Sequence, residues 1–221
     1  MYSKLYTVTL AGQTPLLMHR DNIQWGQRVK AWTKDPANKD VSVPGDDTSP
    51  AWTWIGYLYH NAGLVVVDTD NLMTMLRDGG TKCPASKGKG SFKAQTQSGI
   101  IITESGWPVT IGGKTVSYTE IKGLQEESDF EAHEKLAQKL GFELFVKRAK
   151  IGKNKHVRVR PMFSDWKLSG NLMVTDATIT TEVLQNILTT AGRFCGLCDW
   201  RPGSPKSGRF GCFTAEVKEQ K

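Results

Sequence analysis

The tightest constraint on this chain is "AGRFCGLCDWRPGSPKSGRFGCF", residues 191–213. Five glycines, two prolines and four basic residues stand there between a helical segment and an alternating one. In "TTEVLQNILTTAGRF" (180–194), Val183, Leu184, Ile187, Leu188 and Ala191 form one apolar stripe, with Glu182 at the positive end of the helix dipole. "WKLSGNLMVT" (166–175) before it and "GRFGCFTAEV" after it read as strands. A Walker-type phosphate loop precedes its helix, and no G-x-x-x-x-G-K-S/T occurs. This loop follows its helix, where carbonyl ends repel phosphate. Anion binding here therefore needs loop amides and Arg193, Arg201, Lys206 and Arg209.

Strand, helix, glycine-rich loop and strand resemble the second half of a ferredoxin-like (RRM-like) βαββαβ core, and the expected class is α+β. "KLYTVTLA" (4–11) alternates Tyr6, Val8 and Leu10 against Leu5, Thr7 and Thr9, and opens the first half. "GLVVV" (63–67) reads as a buried strand. The segment 69–78 reads as a helix capped by Thr69 or Asp70 and stopped by Gly79-Gly80. Residues 81–97 read as a loop and "VTIGGKTV" as a hairpin. Residues 125–140 read as an acidic amphipathic helix with Phe130, His133, Leu136, Ala137 and Leu140 inward. "ELFVKRAKIGKNKHVRVRPMF" is a second hairpin, with Val157 and Val159 on one face and His156, Arg158 and Arg160 on the other. Residues 1–221 are expected to form a single domain with large inserted hairpins and loops at about 20–61 and 79–160. The 20–61 stretch is polar and reads as an excursion from the main fold. Its Trp25, Trp32, Trp52, Trp54 and Tyr57 serve either as anchors to the core or as stacking platforms.

Net charge is +7, and its distribution is more informative than its size. Residues 79–103 hold four lysines and no acid. Residues 147–160 hold seven Lys/Arg and no acid, while 120–134 hold six acids. Such blocks suit a polyanion, or else are solvated loops. Lys82, Lys87, Lys89 and Lys93 lie on a segment too polar to pack, and Lys150, Lys153, Lys155, Arg158 and Arg160 lie on the hairpin. Both sets are candidate nucleic-acid contacts, with Arg20 and the loop cations. Trp200, in the glycine loop, is the best candidate for stacking on a base.

Cys195 and Cys198 form a C-x-x-C, but Cys83 and Cys212 stand apart, so the pattern favours free thiols over a metal centre. No cofactor is expected. No run reaches the ~18 apolar residues of a membrane span. "MYSKLYTVTLAG" lacks a charged segment followed by an apolar one, so no signal peptide is expected and the expected compartment is cytoplasmic.

Three pieces carry a family resemblance: the first strand running into "GQTPLLMHR", the helix entry "VVDTDNLMTMLR", and the loop "GLCDWRPGSPKSGRFG" with Gly196, Gly208 and Gly211 around a basic stretch. The chain resembles the RAMP superfamily, the RRM-like proteins of CRISPR effector complexes, and particularly their backbone subunits or a phage-encoded relative. That resemblance implies a non-catalytic binder of single-stranded RNA or DNA that oligomerises along the strand, with copies of itself and other effector subunits as partners. The family also includes RNA-processing endonucleases, which makes His19, beside Arg20, a candidate general acid/base. A third reading is a structural or phage assembly protein whose basic face meets an acidic partner.

Overall fold

The structure is a computed structural model that describes residues 2–39, 49–85, 90–151 and 154–220, with the backbone alone over 148–151 and 154–156. The chain opens with β1 (Lys4–Gly12), β2 (Leu16–Leu17) and α1 (Ile23–Lys34), then two 3-10 segments, Pro36–Asn38 and Ala51–Tyr57. The middle runs β3 (His60–Asn61), β4 (Leu64–Asp68), α2 (Thr69–Lys82), α3 (Lys93–Ser98), β5 (Ile100–Ile101), β6 (Gly106–Ile111), β7 (Lys114–Thr115), α4 (Tyr118–Lys122) and α5 (Phe130–Lys139). The remainder is β8 (Glu143–Ile151), β9 (Asn154–Phe163), β10 (Trp166–Val174), α6 (Thr181–Phe194) and β11 (Phe213–Glu219).

This is an α+β chain on an antiparallel sheet. Its main path is β11-β1-β10-β6-β4-β3, with β5 on β10 and β7 on β6. A smaller sheet runs β2-β9-β8. The alternation of β1 puts Tyr6, Val8 and Leu10 at zero exposure, and the Tyr6 hydroxyl reaches Thr181 Oγ1 at the start of α6 (3.3 Å). Helix α6 buries Leu184, Ile187, Leu188 and Ala191, and the Thr180 hydroxyl caps it by accepting from the Val183 amide. Gly112 and Gly113, at φ +57° and +80°, make the tight β6–β7 turn. No helix among the described residues is long and apolar enough to cross a membrane.

Several expectations need correction. Helix α2 runs on to Lys82, and Asp68 caps it by accepting from the Asn71 amide (3.1 Å). Gly79-Gly80 lies inside the helix, because close packing needs a residue without a side chain there. A Cβ on Gly79 would stand 2.7 Å from the Ala191 Cβ of α6. The 81–97 stretch contains α3, which buries Thr96 against Gly80. The acidic helix begins only at Phe130, and β11 begins only at Phe213.

Nor is 20–61 an excursion. Trp54 and Ile55 are fully buried, and Trp54 Nε1 donates to His133 Nδ1 (3.2 Å). The ring's other nitrogen, Nε2, faces the Glu127 carbonyl at 3.0 Å, so a neutral imidazole with its proton on Nε2 satisfies both bonds. The Arg28 guanidinium lies over the Trp52 and Trp25 rings (4.5 and 5.1 Å), which ties α1 to this segment. Trp52 and Trp54 are buried, and Trp25 and Trp32 are half-buried against the core.

Candidate nucleic-acid interface

After α6 the chain folds on itself. The Leu197 amide donates to Gly211 O (2.9 Å), Gly203 to Cys195 O (2.8 Å) and Phe210 to Trp200 O (3.3 Å). The loop then docks on the segment after β1: Asp199 N donates to Leu17 O (2.9 Å) and Gly211 N to Pro15 O (2.8 Å). Gly211 has φ +73°, and a Cβ there would stand 2.1 Å from the Leu197 carbonyl, so no other residue fits. Trp200 itself has φ +48°, a left-handed conformation costing a non-glycine residue about 1–2 kcal/mol. The surrounding hydrogen bonds hold that conformation.

This loop and the β8–β9 hairpin enclose a cleft of about 650 Å³. Lys147 of β8 pairs in register with Arg158 of β9, and Phe145 with Arg160. Two like charges directly opposite each other on one sheet face repel. Lys147 Nζ rests 3.4 Å from the centroid of the Trp200 ring, and Phe210 supports that ring at 5.5 Å. Pro205 and Lys206 line the cleft opposite the hairpin. Arg158 is exposed and its guanidinium has no partner among the described residues.

Arg160 is held. Its Nη1 lies 3.0 Å from Asp199 Oδ2, an ion pair out of hydrogen-bond alignment, and its Nε donates to His19 Nδ1 at 3.0 Å. Only 13% of its side chain is exposed. His19 lies flat on Tyr57, with centroids 4.3 Å apart. Burial, and then the Arg160 charge, lower the His19 pKa. Its Nδ1 lone pair is already committed, so the ring carries its proton on Nε2.

Burial likewise leads in holding His60 and His133 below their ordinary 6.5. The unfolded chain therefore binds more protons than the folded one between the folded values and 6.5. Stability is complete above 6.5 and declines as pH falls toward the folded values. The expected result is a lower melting temperature at about pH 5.5 than at about pH 7.5, with a smaller difference in His133→Gln. A midpoint independent of pH would contradict the neutral imidazoles.

The structure therefore gathers Arg158, Arg160, Trp200 and Lys206 with Lys147, which was not among the residues the sequence singled out. Its signal was present: Lys147 lies in the basic block and faces Arg158 once the hairpin register is known. Other candidates lie elsewhere or do other work. Arg201 is paired with Asp78 of α2 (3.0 Å), with 16% of its side chain exposed, and so anchors the loop. Lys82 donates to Phe194 O at the end of α6 (3.1 Å), a cation at the negative end of a helix. Arg193 and Arg209 are exposed and lie over the rings of Phe194 and Phe210. Lys93 is exposed at the first position of α3. Lys87, Lys89 and Lys153 lie outside the described residues, as do the side chains of Lys150, Lys155 and His156.

The four cysteines are free, and burial pushes the thiols of Cys83, Cys195 and Cys198 up, away from the thiolate form. Among the described residues no group of three or more His, Cys, Asp or Glu could hold a metal ion. In comparisons of the sequence, no protein-family model and no curated protein matches it.

Proposed function

We propose that this protein binds single-stranded nucleic acid in the cleft between the β8–β9 hairpin and the 195–212 loop. One observation carries the reading. Lys147 and Arg158 stand opposite each other with no ion pair to an acid among the described residues, the cleft's Asp199 being paired with Arg160, beside an aromatic ring held by a strained backbone. Facing cations repel, and an anion between them relieves that repulsion. Cations for phosphates together with a ring for bases are the means by which proteins hold single strands without reading sequence. A free acidic protein surface would satisfy the cations and leave the ring unexplained.

The order β11-β1-β10-β6 supports reading the core as ferredoxin-like. In a βαββαβ chain with both helices on one face, the first strand lies between the third and fourth. Taking β6 as the second strand, with α2 and α6 as the two helices, meets that arrangement and favours kinship with the RRM-like RAMP proteins. On this reading, copies bind side by side along a longer strand.

The test is fluorescence anisotropy with labelled oligouridine and oligothymidine over a salt series. Three to four phosphate contacts at about 0.7 each predict a slope of log K against log salt of about −2 to −3. Binding independent of salt, or none at low salt, overturns the reading.

A further inference from the structure

Two smaller clefts lie beyond Arg160, the first of them across its hydrogen bond to His19. The second, of about 170 Å³, is lined by His19, Arg20, Trp25 and Tyr57, and the third, of about 140 Å³, by Arg20, Tyr59, His60 and Asp68. The three are joined side chain to side chain. Arg160 lines the first and donates to His19 of the second at 3.0 Å. Arg20 lines both the second and the third. Its backbone amide is fixed to Tyr57 O at 2.9 Å, while its half-buried guanidinium makes no hydrogen bond or ion pair among the described residues.

At the far end His60 lies on Tyr118, with centroids 3.7 Å apart and planes 10° from parallel. His60 is exposed and lines the third cleft. Burial and the nearby Arg20 charge favour its neutral form, which leaves the ring a stacking surface. The Asp68 carboxylate in this cleft is turned to the start of α2, where it accepts from Asn71 N and Nδ2.

We infer that these clefts form one track, with Arg20 as a further phosphate contact and the His60–Tyr118 pair as a second stacking platform beyond Trp200. The inference rests on the nucleic-acid reading of the first cleft and specifies its ligand further. A mononucleotide has one base and cannot occupy both platforms. A duplex hides its base faces. Cations and aromatic rings alternating from cleft to cleft fit a single strand several nucleotides long.

The experiment compares labelled oligouridines of about 4 and about 12 nucleotides on wild type, Arg20→Ala, His60→Ala and the double variant. His60 is exposed and Arg20 bonds only through its backbone, so the variants are expected to fold, which thermal melts check. Wild type should bind the longer strand roughly tenfold or more tighter, and the double variant should bring that ratio close to unity. If wild type binds both lengths and the ratio persists in the double variant, the track is wrong and the first cleft stands. If Arg20→Ala weakens both lengths equally, Arg20 belongs to the first cleft and the track is again wrong. If wild type binds neither length, the reading of the first cleft fails with it.

Discussion

Alanine at Lys147, Arg158 and Lys206 together should weaken single-strand binding by roughly a hundredfold, counting about 1 kcal/mol for each charge-assisted interaction and about 1.4 kcal/mol per tenfold. The salt slope should flatten by about 2, at about 0.7 for each phosphate left without its cation. The opposite expectation holds for stability. Lys147 and Arg158 repel each other across the hairpin, and removing them relieves that repulsion while giving up the Lys147 contact with the Trp200 ring, two effects of similar size. The melting temperature of the triple variant should therefore stay nearly level while binding collapses, as expected where residues are kept for function rather than stability. Arg160 is left in place deliberately. Removing it would strand Asp199 and free His19, mixing a folding defect into the measurement. A triple variant that binds like wild type would remove these cations from the interface. A midpoint lowered by several degrees would show instead that they serve the fold.

How much of this was readable in advance depends on whether a feature is local. Tyr6, Val8 and Leu10 on β1, and Leu184, Ile187 and Leu188 on α6, follow periods of two and 3.6, and burial follows the period. The alternation of Arg158 and Arg160 against Val159 is of the same kind. Gly79-Gly80 misleads because glycine ends helices but also permits close helix packing, and only the position of Ala191 decides between them. Arg201 misleads because a cation in a basic loop looks free until Asp78, far away in sequence, is placed beside it. The cleft has the same character. Lys147, Arg158, Trp200 and Lys206 meet only after β2 pairs with β9 and the loop docks on Leu17 and Pro15. Those two-residue pairings and backbone hydrogen bonds carry no side-chain signature. The tryptophan-bearing stretch from Trp25 to Trp54 is polar in composition, yet Trp54 reaches the core through a bond to His133 that no spacing announces.

Gly208→Ala should both destabilise the protein and abolish binding. An added Cβ would stand 1.9 Å from the Trp200 carbonyl oxygen and 2.2 Å from its Cδ1. The nearest obstacle is backbone, so a side-chain rotation cannot clear it. That carbonyl also accepts from Phe210 N, and Gly208 N donates to Arg201 O, so the loop is held on both sides of the clash. Trp200 already sits at φ +48° and has little room to yield. The ring must leave its place between Lys147 and Phe210. Overpacking of this kind costs about 2–3 kcal/mol, a drop of about 4–12 °C in a domain of this size. Gly26→Ala is the matched control: nothing lies within 4 Å of its Cβ position inside α1, and alanine should stabilise that helix by up to about 1 kcal/mol. Trp200→Ala separates the two effects of Gly208→Ala, because it removes the ring without forcing the backbone and should lose binding at a smaller thermal cost. Should Gly208→Ala melt like wild type and still bind, the ring is not held in advance by its loop, and the strain at Trp200 has no bearing on recognition.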